Sequence, residues 1–385
     1  MKIAFDAQPL FDGTKSGVGF HEDGLISALL KNQTDNTYFF EFFSLRNHEK
    51  KEKILSKYKR NNVYFYHCKW IPGVLYKMVS VLFPMPHRWL FPESKDITHF
   101  FNYYIPPFVK GKKVVTIHDM AFRVFPETVR KKTFLFLKSV IKKSIKRADH
   151  IVTVSEFSKQ EIMRFYHVPS EKISVVPNGV DLKRFRSEKD KDVIEKVKEK
   201  YEVSGEYFLY LGTLEPRKNL VRLILAYAVA RKEYADFPTL VLAGGKGWMY
   251  DEIFQTVEQL NLQHMVLFPG YIADEDVAVL LSGAKAFVFP SLYEGFGMPV
   301  IEAMACGVPV LTSNGSALKE IAYDAAVLVN VYDIDEIEKA LVLLSGDEQL
   351  RCRLIEKVLK KSKEFSWNRS TDILYKVYQE LTNID

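Results

Sequence analysis

Cysteine is scarce in this 385-residue chain. Cys68, Cys306 and Cys352 lie far apart, with no CxxC pair and no histidines at zinc-ligand spacing. That pattern excludes a disulfide framework and a structural zinc site, and it fits a reducing compartment. Long hydrophobic runs are missing too. The start, MKIAFDAQPLF, breaks its apolar residues with Asp6 and Gln8, so no signal peptide is expected. The most apolar segment, 70–92, carries Lys77, His87, Arg88 and several prolines, which argues against a membrane-spanning helix. A cytoplasmic location is expected. A strong charge of one sign is also lacking, since the formal net charge is only +6. Hydrophobic content of 47% with 26% charged residues is ordinary for a globular protein, and the length suits two domains.

The modest charge is unevenly spread. RKKTFLFLKSVIKKSIKR, Arg130 to Arg147, holds eight basic residues and no acidic one. Phe134, Leu137, Val140, Ile141 and Ile145 recur at helical spacing. The segment reads as a core-facing helix with a solvated basic back, or as a surface that rests on anionic lipid headgroups at the inner face of a membrane. No nucleic-acid motif accompanies the charge, so no nucleic-acid partner is expected.

Short β-rich runs alternate with amphipathic stretches along the chain. KIAFDA, YFFEFFSL, NVYFYHC, ITHFF, KVVTIHD, HIVTVS and KISVVPN come first, then YFLYLGT, TLVLAGG, MVLFPGY, AFVFPS, VPVLTS and AAVLVN. Apolar strands separated by helices predict parallel sheets buried on both faces, and two such series predict two doubly wound α/β domains. The turn signal Asn178-Gly179 and the charged residues after it place the seam within 177–192. The expected division is residues 1–185 and 186–366. A last helix, 367–385, has Ile373, Leu374, Val377, Tyr378 and Leu381 on one face and is expected to fold back on the first domain.

Ligands of such folds bind beyond the carboxyl ends of the strands, in the crevice between domains. After the first strand, Gly13, Gly17 and Gly19 predict a loop before a helix starting near Phe20. It matches neither GxGxxG nor a Walker A loop, and reads as a connecting turn or as a loop whose amides meet a phosphate. His118 ends another strand, where imidazole can donate to a sugar hydroxyl or a phosphate oxygen. Ser155 or Ser158 reads as a helix cap. Arg217 and Lys218 follow YFLYLGT just ahead of a helix, a position that suits a diphosphate clamp. The glycines of AGGKGW, 243–248, permit close backbone approach to a ligand, but the run reads first as a plain turn. PSLYEGFGMPVIEAMACG sets Pro299 in the first turn of a helix, with the amides of Phe296, Gly297 and Met298 at its N-terminus. Glu294 precedes that helix and Glu302 lies inside it. They are expected to reach different parts of one ligand rather than to oppose each other as a hydrolytic pair.

EGFGMPVIE, Glu294 to Glu302, resembles the E-x7-E motif of the retaining nucleotide-sugar glycosyltransferases of glycosyltransferase family 4. GTLEPRKNL, AGGKGW, FPGYI, VVPNGVD, VSEFSK and SGVG stand around it in that family's order. The resemblance covers essentially the whole chain and implies the GT-B fold of two Rossmann-like domains facing a deep cleft. It implies that Glu302 holds the ribose hydroxyls and that Arg217 and Lys218 neutralise the diphosphate. Glu294 with Gly295, Phe296, Gly297 and Met298 would grip the transferred sugar. His118 would touch the sugar from the other domain, Gly17 and Gly19 would approach the phosphate or acceptor, and Tyr271 and Ile272 would border the base.

The expected reaction is transfer of a hexose with retention, the leaving diphosphate being stabilised by Arg217, Lys218 and helix amides. No metal or other cofactor is expected. Asp274–Asp276 and Asp333–Asp335 resemble a metal-binding DxD, but each precedes a helical run and reads as N-terminal capping. The motif set looks most like mannosyltransferases of surface-polysaccharide synthesis, with GDP-mannose as donor and a glycan or lipid-linked glycan as acceptor. The same fold serves sugar-nucleotide epimerases and phosphorylases. A non-enzymatic membrane-surface or carbohydrate-binding protein would instead use the basic helix and the aromatics from Trp70 to Trp89.

Overall fold

The structure, a computed structural model, describes residues 1–11, 17–44, 48–83, 85–234 and 236–383. All thirteen apolar runs form strands, and each strand pairing is parallel. The first sheet contains β1 (Lys2–Asp6), β2 (Thr37–Phe43), β3 (Val63–Cys68), β4 (Ile97–Phe100), β5 (Lys112–Thr116), β6 (His150–Thr153) and β7 (Ile173–Val175). Its order is β3-β2-β1-β4-β5-β6-β7. The second contains β8 (Tyr207–Leu211), β9 (Thr239–Ala243), β10 (Val266–Leu267), β11 (Ala286–Phe289), β12 (Val310–Ser313) and β13 (Val327–Val329), in the order β10-β9-β8-β11-β12-β13. Burial on both faces explains the continuous apolar runs: in TYFFEFF only Thr37 is not fully buried. Glu41, the polar exception in that strand, is bonded by the buried Lys95.

The strand orders reverse between β1 and β4 and again between β8 and β11. Adjacent loops leave the sheet in opposite directions at such points, opening a crevice at the strand carboxyl ends.

Two compact units result. One comprises Met1–Phe122, Lys131–Gly179 and Trp367–Asp385, the other Arg123–Arg130 and Val180–Ser366. In the first unit the helix Trp367–Thr382 packs on the helix Gly17–Asn32. Leu374, Val377 and Tyr378 are buried, and the Tyr378 hydroxyl lies 2.6 Å from His99 Nδ1. The two helices touch at Gly24, where a Cβ would stand 2.3 Å from the Trp367 ring. In the second unit the short Arg123–Arg130 segment is tied down by Trp248. The indole Nε1 donates to the Thr128 carbonyl at 2.7 Å, and the Arg130 guanidinium stacks 4.9 Å from the ring centroid.

Two local expectations need correction. The helix placed near Phe20 begins at Gly17, so Gly17 and Gly19 belong to its first turn rather than to a loop. Helix formation gains one hydrogen bond per added residue, which outweighs the poor propensity of two glycines. Gly13 lies outside the described residues. The acidic runs also differ from one another. Asp333 caps its helix by accepting from the amides of Asp335 and Glu336, as expected. Asp276 makes no side-chain cap; its carboxylate accepts instead from Lys200 Nζ at 2.6 Å and Tyr201 Oη at 2.7 Å. A cation and a phenol outcompeted the amides there. Ser155 does cap its helix, accepting from the Ser158 amide.

Candidate functional site

The two strands that flank the switch point of the second sheet carry the site. β8 runs into GTLEPRK and β11 into PSLYEG. After β8 the chain makes a short 3-10 turn, Pro216–Lys218, with proline at its start. Asn219, in the left-handed region at φ 61°, then redirects it into the helix Leu220–Glu233. The turn aims two cations at the loop after β11. Arg217 Nη2 contacts Glu215 Oε1 at 2.6 Å, and its Nη1 donates to the Tyr293 carbonyl at 2.6 Å and meets Glu294 Oε2 at 2.9 Å. Lys218 Nζ lies 2.6 Å from Glu294 Oε1. A backbone bond from Leu292 N to the Arg217 carbonyl, 2.9 Å, joins the two loops.

The structure thus brings Arg217, Lys218 and Glu294 together, but the two cations are not free as the sequence suggests. Glu294 bridges them, and Glu215, 2% exposed, holds the far side of the guanidinium. Sequence reasoning missed Glu215, although it stands two residues before Arg217. Burial would raise the Glu294 carboxyl, but Arg217 and Lys218 outweigh it and hold the group at about 2. Burial, aided by Arg217, pushes Lys218 down, while Glu294 works against that. Two cations and two carboxylates sum to a neutral cluster. An arriving anion must therefore compete with Glu294, and a carboxylate displaced from the cations is free to turn to another ligand group.

The glycines of AGGKGW make a close approach, and its partner is the neighbouring loop. Gly212 N donates to the Ala243 carbonyl at 3.0 Å, Leu214 N to Gly245 at 3.0 Å, and Gly247 N to Leu214 at 3.1 Å. A Cβ at Gly244, whose φ is +139°, would lie 1.9 Å from the Gly212 carbonyl oxygen. The zipped loops fix the base on which Arg217 and Lys218 are mounted. Gly244→Ala is expected to lower unfolding stability by about 1–3 kcal/mol through backbone strain, measured by urea denaturation. An unchanged midpoint would show that the loop yields freely.

The helix Met298–Ala305 starts after Gly297, at φ 110°, with Pro299 in its first turn as expected. The positive φ favours glycine here, and a Cβ on Gly297 would also meet Leu318 Cδ2 at 2.6 Å, forcing that side chain to shift. Phe296 is buried edge-on against Phe365, ring centroids 5.7 Å apart. Glu294 N donates to Ser316 Oγ at 3.2 Å, fixing the turn that also contains Gly295.

Glu302, one turn into this helix, sits in a different electrostatic setting from Glu294. Burial raises its carboxyl to about 8, and Arg184 offsets only part of that. Arg184 is a second residue that sequence reasoning missed. Its Nη2 donates to the Asp274 carbonyl at 2.9 Å and lies 3.5 Å from the Asp274 carboxylate. Tyr271 Oη donates at 3.1 Å to Asp274 Oδ1, the same carboxylate oxygen that Arg184 approaches. Tyr271 is 64% exposed and open to a planar ligand, whereas the Ile272 side chain is buried. Ile272 can border a base only through its backbone.

His118, Gly17 and Gly19 belong to the first unit. His118 follows β5, and its Nε2 donates to the Phe101 carbonyl at 2.8 Å. Burial pushes its pKa down, so the ring is neutral near pH 7 and its lone pair resides on Nδ1. The donor role expected for this imidazole is thus taken by the backbone, and what remains is an acceptor. His21 packs edge-on against it, ring centroids 4.9 Å apart. His21 itself is fixed through Nδ1 by Asn178 Oδ1 at 2.6 Å.

Comparison with known proteins accords with this geometry. Residues 26–184 match the profile of Glycosyltransferase Family 4, and residues 191–361 match that of Glycosyl transferases group 1. The O-antigen chain mannosyltransferase B of Escherichia coli is 33% identical over 310 residues, 80% of this chain and 81% of that one. The serotype-specific mannosyltransferase WbdA of Escherichia coli is 29% identical over 237 residues, 61% of this chain but only 29% of that longer protein. Among solved structures, sucrose-phosphate synthase from Thermosynechococcus elongatus superposes with a TM-score of 0.76 at 19% identity, over 100% of both chains. The fold is GT-B, and the chain belongs to the glycosyltransferases of family 4.

Proposed function

We propose that the chain transfers a mannosyl residue from GDP-mannose, with retention, to a glycan or lipid-linked glycan in the synthesis of a cell-surface polysaccharide. The observation that carries this reading is the Arg217–Lys218–Glu294 cluster at the switch point of the second sheet, with Lys218 and Glu294 buried. The diphosphate displaces Glu294 from the two cations and is held by them, and the freed carboxylate accepts from hydroxyls of the transferred sugar. Glu302 accepts from the ribose hydroxyls, and Tyr271 flanks the base. As the bond from the anomeric carbon to the β-phosphate oxygen breaks, Arg217 and Lys218 stabilise the charge developing on that oxygen. The acceptor hydroxyl bonds to the anomeric carbon on the same face and passes its proton to the departing phosphate. No protein nucleophile takes part. The mannosyltransferase relative supports the sugar, and that protein's O-antigen role supports the acceptor class.

In this reading the cations do the work of a divalent ion, so transfer is metal-independent. The test is a thermal-shift panel of nucleotide sugars followed by a transfer assay with the stabilising donors, run with and without EDTA. GDP-mannose is expected to give the largest shift, and EDTA to leave transfer unchanged. Loss of transfer in EDTA, restored by manganese, would overturn the metal-independent part. A larger shift with another nucleotide sugar would overturn the donor.

A further inference from the structure

The first unit exposes a set of large apolar side chains that the site does not use. Trp70 is 88% exposed, Met78 62%, Phe83 73% and Trp89 71%. They lie on and around the helix Gly73–Leu82 and the short helix His87–Leu90. Val74 and Leu75 share the Met78 face of the first of these and are exposed as well. Single exposed apolar residues are normal, but a run of this size marks an interaction surface.

The basic helix Lys131–Arg147 borders the same region. Lys143 Nζ donates to the Val81 carbonyl at 3.5 Å, at the end of the apolar helix. Arg147 Nη1 donates to the Ile105 carbonyl at 2.7 Å, and His87 N to the Pro107 carbonyl at 3.1 Å. The loop between β4 and β5 therefore ties the short helix to the basic one, and its Tyr104 hydroxyl lies 2.5 Å from Ser80 Oγ on the longer apolar helix. Only part of the basic helix meets the expected core role. Val140, Ile141 and Ile145 are buried, but Phe134 and Leu137 are half-buried and Leu135 is 63% exposed. Leu135 shares the outward face with Lys132, Lys142 and Lys146.

We propose that this contiguous surface docks on an anionic lipid bilayer, the two tryptophans and the Met78 face entering the headgroup boundary while the lysines meet lipid phosphates. Tryptophan suits such a boundary because one end of the ring system is apolar and the other donates a hydrogen bond. Lysine stems cover apolar surface while their charges stay with the headgroups. Charge complementarity selects this occupant over a second copy of the chain. The basic helix contains no acidic residue, so two copies facing through it would repel. No helix among the described residues is long and apolar enough to cross a membrane, so the contact is interfacial. The proposal does not depend on which sugar is transferred.

Flotation of the full chain tests it, with vesicles of phosphatidylcholine alone and of phosphatidylcholine with one-third phosphatidylglycerol. The chain is expected to float with the anionic vesicles at low salt and to be released by high salt. The double variants Trp70→Ser/Trp89→Ser and Lys142→Glu/Lys143→Glu are each expected to lose about tenfold or more of the bound fraction. All four side chains are exposed, so an unchanged thermal midpoint verifies that the variants fold. Equal partition to both vesicle types, or flotation of the tryptophan variant like the parent, would overturn the proposal. So would a drop in solution mass caused by the tryptophan variant, because the patch would then cover a second copy.

Discussion

Lys218→Met reduces transfer by about a hundred- to a thousandfold in kcat, with a smaller change in the KM for donor. The ammonium lies where charge builds as the diphosphate leaves, and an interaction stronger in the transition state than in the bound substrate is read in kcat. Arg217→Lys retains the charge but loses the fork that holds Glu215, Glu294 and the Tyr293 carbonyl, and it falls by a comparable factor. Stability separates the positions. Arg217→Ala strands Glu215 and removes half of the support for Glu294, so it costs about 3–5 kcal/mol as a broken buried ion pair. Lys218→Met leaves Glu294 with its arginine and costs less. Glu294→Gln provides the complementary readout. Glu294 is ionised at any assay pH because the cations hold its carboxyl at about 2, so the substitution removes a full negative charge from the cluster. It should therefore bind free nucleoside diphosphate more tightly while transferring sugar more slowly. The measurements are steady-state kinetics, nucleotide titration calorimetry and urea unfolding on the same preparations. Turnover of Lys218→Met within a few-fold of the parent would end the case for these cations as the leaving-group clamp.

The fold was legible because burial on both faces writes itself into composition. Each strand of a doubly covered parallel sheet is a short apolar run, and all thirteen such runs became strands. Which residues met in space was less legible. Arg217, Lys218 and Glu294 could be nominated because they follow β8 and β11, yet nothing in their spacing shows that they neutralise one another across 76 residues. Arg184 lies in a charged, irregular stretch that reads as linker, and its partner Asp274 is 90 positions away. Gly17 and Gly19 illustrate the opposite failure. Glycine propensity predicts a loop, but the residues that follow carry the helix back through them. Arg123–Arg130 joins the second unit through Trp248, a contact that local pattern does not encode.

Nucleotide affinity should rise with pH up to about 8 and level off above it, because Glu302 must lose a proton before it can accept from two ribose hydroxyls. The sign follows from its surroundings. Burial raises its carboxyl from the ordinary 4.5 to about 8, with Arg184 offsetting only part of the shift. Between those values the folded chain keeps a proton that the unfolded chain has released. Its contribution to stability accordingly falls as pH rises from 4.5 to 8. Ligand binding must remove that proton first, which weakens affinity by about tenfold per pH unit below 8. Glu302→Gln should abolish the slope and lower affinity at pH 8.5, where the parent carboxylate is ionised. Its loss there is roughly a hundredfold, since two bonds to a charged acceptor are replaced by bonds to a neutral one. Arg184→Ala should move the rise to still higher pH, because the cation that favours the ionised form is gone. Calorimetric titration of nucleoside diphosphate across pH 6 to 9 reads all three chains directly. A flat profile for the parent would show that no proton leaves Glu302 on binding, and a parent-like slope in Glu302→Gln would assign the titrating group elsewhere.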